Sequence, residues 1–195
     1  MHLLISVFLY LSSLGFSNAF ADEETVCTYS INADQVKVKW EAFKTPSKVA
    51  VEGQFQKIEL KGETQGKSIL EIVKTAKFKI DASTVESKNS ERDKKIAQFF
   101  FSSMKGGSLI TGQVSETTPE TLSVNVSMNG VTKAIPMTYT FLNGNFRAVG
   151  VMDILDFAMA GQLKALTDAC HELHKGKTWS DVNIELWAKF KKKCN

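Results

Sequence analysis

Three side chains with metal-binding or redox chemistry fall within five positions, Cys170, His171 and His174. On a helix, residues three or four apart share a face, so His174 can meet either Cys170 or His171 as a pair of ligands for a cation such as zinc. The spacing is not the His-Glu-x-x-His of zinc hydrolases, and two ligands do not complete a site. The remaining histidine, His2, lies in a segment expected to be removed. No metal is expected; Cys170 reads as a disulfide partner and the histidines as ordinary surface residues.

A second group with chemistry is Arg92-Asp93, inside "NSERDKKIAQFFFSSM". A guanidinium at a cavity mouth grips a phosphate or carboxylate head group through charge-assisted hydrogen bonds. The same adjacent charges also serve as an ion pair or cap that orients a helix, and the two readings stay open. Acyl transfer needs an activated nucleophile and phosphoryl transfer a phosphate cradle. The chain has no Gly-x-Ser-x-Gly and no P-loop, and Gly106-Gly107 reads as a turn. Binding rather than catalysis is therefore expected, with no cofactor.

The compartment follows from the first residues. Leu3 to Phe16 is an apolar run that ends at Ala19-Phe20-Ala21, a small-x-small cleavage pattern followed by acidic residues. Residues 1–21 are thus expected to be a signal peptide for export, too short for a confident membrane span, and no second apolar stretch of spanning length follows. Removing 21 residues from 195 leaves 174, read as a single domain over 22–195. The formal charge of +3 is spread along the chain apart from the C-terminal "KFKKKCN", too small a basic face for nucleic acid. Three cysteines remain after cleavage, and an oxidising compartment makes one bridge the expectation. The pairing taken is Cys27–Cys170, with Cys194 placed on a charged tail.

The elements that must position these groups are mostly strands. "VKVKWEAFK" and "VAVEGQF" alternate strictly, with Val36, Val38 and Trp40 on one parity and Val49, Val51, Gly53 and Phe55 on the next. "TAKFKID", "SLITGQVSE", "TLSVNVSMN" and "TKAIPMTYTFL" continue the pattern, then "NFRAVGVMDIL" and "VNIELWAKF". Asn129-Gly130 and Asn143-Gly144 mark tight hairpin turns, because both dipeptides tolerate positive φ. Two connections read as helices, one from Ser90 as N-cap and one from Asp156 with Leu163, Leu166 and Leu173 near helical spacing. Eight antiparallel strands with two short helices make an all-β fold, either a sandwich or an up-and-down barrel wide enough for one small ligand.

The same stretches resemble the YceI-like family of periplasmic, lipocalin-like, polyisoprenoid-binding proteins. "VKWEAFK" with "VEGQF" is similar to its opening strands, and "NSERDKKIAQFFFSSM" to its Arg-Asp signature. "LSVNVSMNGVTKAIPMTYTF" is similar to its Gly-Val-Thr-Lys hairpin, and "GVMDILDFAM" with "GKTWSDVNIELWAKF" to its closing portion. The resemblance implies an eight-stranded antiparallel lipocalin-like barrel whose cavity holds one amphiphile: an isoprenoid, a quinone-like molecule, a fatty acid or a fatty amide. It implies a carrier in the periplasm, and a homodimer is left open.

Shared strand parity predicts a common interior of Val38, Trp40, Val51, Phe55, Phe78, Ile80, Val124, Val126, Met137 and Tyr139. Ile96, Phe99, Phe100 and Leu163 are expected to close one end, and Arg92 is the candidate head-group residue. Gly53, Ala76, Gly112, Ala148 and Gly150 are expected to leave room between the bulkier residues. A secreted interaction or adhesion module with a filled core is the alternative.

Overall fold

The computed structural model describes residues 25–195, so the expected signal peptide lies outside the described residues. The strands are β1 (Cys27–Lys44), β2 (Val49–Phe55), β3 (Ile58–Lys61), β4 (Gln65–Gly66), β5 (Lys77–Asp81) and β6 (Val85–Glu86). After them come β7 (Leu109–Thr117), β8 (Thr121–Met128), β9 (Val131–Leu142), β10 (Asn145–Asp153) and β11 (Thr178–Cys194). Every expected strand is present, but among the described residues the sheet has eleven rather than eight. The additions, β3, β4 and β6, hold two to four residues each, too few to show an alternation.

All pairs are antiparallel, in the order β3-β5-β7-β8-β9-β10-β11-β1-β2-β6 with β4 on β1. The chain joins the two sides of that order, because β2 runs into β3 across Gln56 and Lys57 alone. Inward parity changes there, from Phe55 to Ile58, and the strand leaves β1 to take up β5. Such a slip marks a corner. The curled sheet fits a lipocalin-like barrel.

One seam lacks backbone pairing. β1 pairs β2 over Lys39–Lys44 and β4 at Tyr29 and Ser30; between those stretches no strand pair joins it to β3 among the described residues. There β1 also bulges, shifting its register against β11 between Ile31 and Val36.

The opposite end is sealed. Asn129, at φ 54° in the β8–β9 turn, donates from Nδ2 to the carbonyls of Phe157 at 2.9 Å and Ala158 at 3.2 Å. Its Oδ1 accepts the Lys105 N–H at 2.8 Å. One side chain thus ties three loops over Met104, Phe157 and Met159, all buried.

Among the described residues, four short helices connect the strands: α1 (Ile69–Val73), α2 (Ser90–Lys95), α3 (Ala160–Ala169) and α4 (His171–His174). The N-cap of α2 is Asn89, one residue before the expected Ser90, and its Oδ1 accepts the Arg92 N–H at 3.0 Å. α2 continues as a π turn, Ile96–Phe101, in which the Ser102 N–H reaches back to Ala97. The wider turn narrows the angle between successive side chains, so the neighbours Phe100 and Phe101 are both buried. The second expected helix starts later than Asp156. Asp153 caps a 3₁₀ turn at Ile154–Phe157, Ala158 is left-handed at φ 54°, and α3 begins at Ala160.

The expected Cys27–Cys170 bridge is replaced by Cys27–Cys194. The C-terminal lysine-rich segment is no loose tail. It is the last part of β11, paired with β1 in a register that sets Cys27 opposite Cys194, Cα to Cα 4.0 Å. Cys170 is a buried free thiol at the end of α3.

Candidate ligand-binding crevice

The unpaired seam opens into the apolar interior. Ile31, Ala33, Val36 and Val38 of β1 form one wall, Ile58 and Leu60 of β3 the other, and Ile72 and Val73 of α1 lie against the space between them. Phe146 and Phe190 reach it from β10 and β11, while Lys61 and Glu63 belong to the same lining as charged residues. The cavity measures about 90 Å³. Pockets that hold small ligands are commonly about 300–1,000 Å³, so the side chains around this one are close together.

Of the sequence-predicted interior, Val38, Trp40, Ile80, Phe100, Val124 and Met137 are buried in one cluster. Val51, Phe55, Phe78, Ile96, Val126, Tyr139 and Leu163 pack against it, half-buried or nearly so. Phe99 stays half-exposed and outside the packed set; its neighbour Phe101 takes the buried place, against Phe55 and Phe100. Only Val38 and Phe78 of the predicted set line the crevice itself. The β3 and α1 residues were missed because those elements are so short. The parity slip between Phe55 and Ile58 was the available signal.

The glycines do not leave room as expected. Trp40 sits opposite Gly53 in the β1–β2 register, and a Cβ at Gly53 would overlap its indole. Phe78 sits opposite Gly112 in the β5–β7 register, and a Cβ there would overlap its ring. Each glycine lets an aromatic ring lie flat across the neighbouring strand, so ring carbon fills the space. At Gly150 a Cβ would meet the Pro136 carbonyl, a close approach of backbone to backbone.

Trp40 carries the one unsatisfied buried side-chain polar atom among the described residues. Its Nε1 is buried with no hydrogen-bond acceptor. Trp40 also borders a second, open depression of about 1,040 Å³ on the β1–β2–β10–β11 side, with Ser87 and Arg92 at another edge. The Arg92 guanidinium is engaged locally, Nε donating to Ser87 Oγ at 2.7 Å and a terminal nitrogen to the Ser87 carbonyl at 2.6 Å. Asp93 takes the Ser87 hydroxyl as well. The Arg-Asp pair therefore pins the start of α2 to the end of β6.

The Cys170 region has no metal geometry. No cluster of three His, Cys, Asp or Glu side chains occurs among the described residues. His174 Nδ1 lies 2.7 Å from Thr178 Oγ1, and burial, aided by Lys44 and Lys95, holds its pKa below the ordinary histidine value. No described helix is long and apolar enough to cross a membrane.

The YceI-like domain profile matches residues 29–190. The chain belongs to the YceI-like family. No curated protein sequence matches it significantly. Among solved structures, this YceI-like chain is similar to a polyisoprenoid binding domain from Saccharophagus degradans, implicated in plant cell wall breakdown. The TM-score is 0.58 at 13% identity, covering 84% of this chain and 97% of that one. It is also similar to Burkholderia cenocepacia BcnA, with a TM-score of 0.53 at 14% identity, covering 83% and 99%. At these identities the likeness is one of fold.

Proposed function

We propose that this YceI-like protein binds one apolar-chain amphiphile through the β1–β3 crevice and carries it in the periplasm. The crevice is the observation that carries the reading, a largely apolar opening at the unpaired seam between β1 and β3. The fold shared with a domain described as polyisoprenoid binding supports the same chemistry. The ligands proposed are isoprenoids, quinone-like molecules, fatty acids and fatty amides, since each moves methylenes out of water at about 0.8 kcal/mol apiece.

The inward row Val36, Val38, Trp40 spans roughly 13 Å along β1, at about 3.3 Å per residue. A chain entering at Val36 and running along that row brings its polar end to the unpaired Trp40 N–H. Arg92, committed to Ser87, orients the wall there rather than gripping the head. Loading requires the interior side chains to part, and β3, which forms one wall of the crevice and is paired on one edge only, is the wall with fewer backbone ties. The disulfide suits an exported protein in an oxidising compartment.

A second reading, a secreted interaction module with a filled core, is favoured by the small volume of the cavity. One substitution separates the two. Ala33 is exposed at the crevice lining, so Ala33→Trp obstructs entry without disturbing the core. The carrier reading expects uptake of an apolar fluorophore by the parent and at least a tenfold loss in the variant at unchanged thermal stability. Equal uptake by both would move the ligand elsewhere, and uptake by neither supports the filled-core module.

A further inference from the structure

The end of the barrel opposite the Asn129 seal combines exposed apolar side chains with a cluster of lysines. The β9–β10 hairpin turns at Asn143-Gly144 and leaves Leu142 70% exposed. Phe141 beside it remains 38% exposed, although its ring packs edge-on against Tyr29 and Phe190. Asn145 pairs with Leu142 on one side and with Lys189 on the other, so Leu142 and Lys189 belong to one row across three strands. β11 then continues through Lys191, Lys192 and Lys193, all exposed. Lys192 lies 5.8 Å over the Tyr29 ring. The ion pairs among the described residues involve none of these four lysines.

An apolar tip flanked by cations has a specific complement. Lipid head groups that carry negative charge attract the lysines, while the acyl boundary beneath accepts leucine and phenylalanine. A nucleic acid would satisfy the charge but not Leu142, and an apolar protein groove would satisfy Leu142 but not the lysines. The crevice reaches the same end, because Ile31 and Phe190, which line it, are cross-strand partners four residues from Cys27 and Cys194.

We propose that this end of the barrel docks on an anionic lipid bilayer, with Leu142 and Phe141 at the acyl boundary and Lys189, Lys191, Lys192 and Lys193 against the head groups. Docking this way brings the Ile31–Phe190 end of the crevice close to the membrane, so an insoluble chain has a short path between bilayer and barrel. That last step alone rests on the carrier reading; the docking does not.

The test uses the delipidated protein over residues 22–195, which includes the acidic run Asp22-Glu23-Glu24 ahead of β1. Its readout is co-sedimentation with phosphatidylglycerol-rich vesicles and with pure phosphatidylcholine vesicles. Expected is binding to the anionic vesicles only, weakening as salt is added. Joint replacement of Lys191, Lys192 and Lys193 by Gln should cost about a hundredfold, at roughly fivefold per lysine. Leu142→Asp should cost about tenfold or more. Fluorophore uptake, measured without vesicles, should be unchanged in both variants. Absent binding, equal binding to both compositions, or variants that bind as the parent does would each overturn the docking. Loss of uptake in the parent with sedimentation intact would overturn the carrier reading alone.

Discussion

Trp40 joins the core to the proposed chemistry. A buried N–H without an acceptor costs about 1–3 kcal/mol, so the indole nitrogen is a poor choice for packing alone. Trp40→Phe keeps an aromatic ring over Gly53 and removes only the donor and some ring volume. Unfolding stability should stay level within about 1 kcal/mol. Affinity for an alcohol or amide ligand should fall about fivefold, while affinity for a hydrocarbon of equal length stays put. Matched titrations of the two ligand types decide it, and an equal change for both would remove Trp40 from head-group recognition. The alternation of β1 made Trp40 legible as an inward residue. That Gly53 lies beneath its ring depends on the β1–β2 register, which no local pattern states. Phe99 shows the same limit, since a π turn, invisible in composition, exchanges it for Phe101.

Among the elements, β1 and β11 carry the longest ladder and fasten the two ends of the described chain. Their disulfide closes a loop of 167 positions, for which the chain-entropy relation gives about 5 kcal/mol as an upper figure. Non-reducing peptide mapping should therefore link Cys27 to Cys194 and find Cys170 as a thiol that labels only after unfolding. Reduction should lower stability by no more than that figure. A peptide joining Cys170 to either partner would contradict the strand register. The pairing was readable in principle. "AKFKKKC" keeps the in-out alternation through Phe190, and the first and last strands of a barrel are natural neighbours. The lysines hid it, because four charges in five residues look like a solvated end when the partner strand is not in view. β3, β4 and β6 were hidden for a different reason: two to four residues carry no period, and β3 takes up β5 only because the chain turns a corner at Gln56-Lys57.

At the scale of the whole molecule, the sheet has one sealed end, one basic and apolar end, and an unpaired seam between β1 and β3 through which the interior is reached. The interior holds about 90 Å³, so a bound chain must displace side chains that otherwise pack against one another. A ligand that binds only the folded state then adds stability by mass action, about 2.7 kcal/mol at a hundredfold excess over its dissociation constant. Native mass spectrometry of the protein purified after export, with solvent extraction of the same sample, shows whether the barrel carries a ligand. A carrier should appear as a folded species heavier than its disulfide-bonded polypeptide by the mass of one amphiphile, which appears in the extract and is lost on denaturation. A bare polypeptide mass together with an empty extract and no uptake of an added apolar ligand would contradict it.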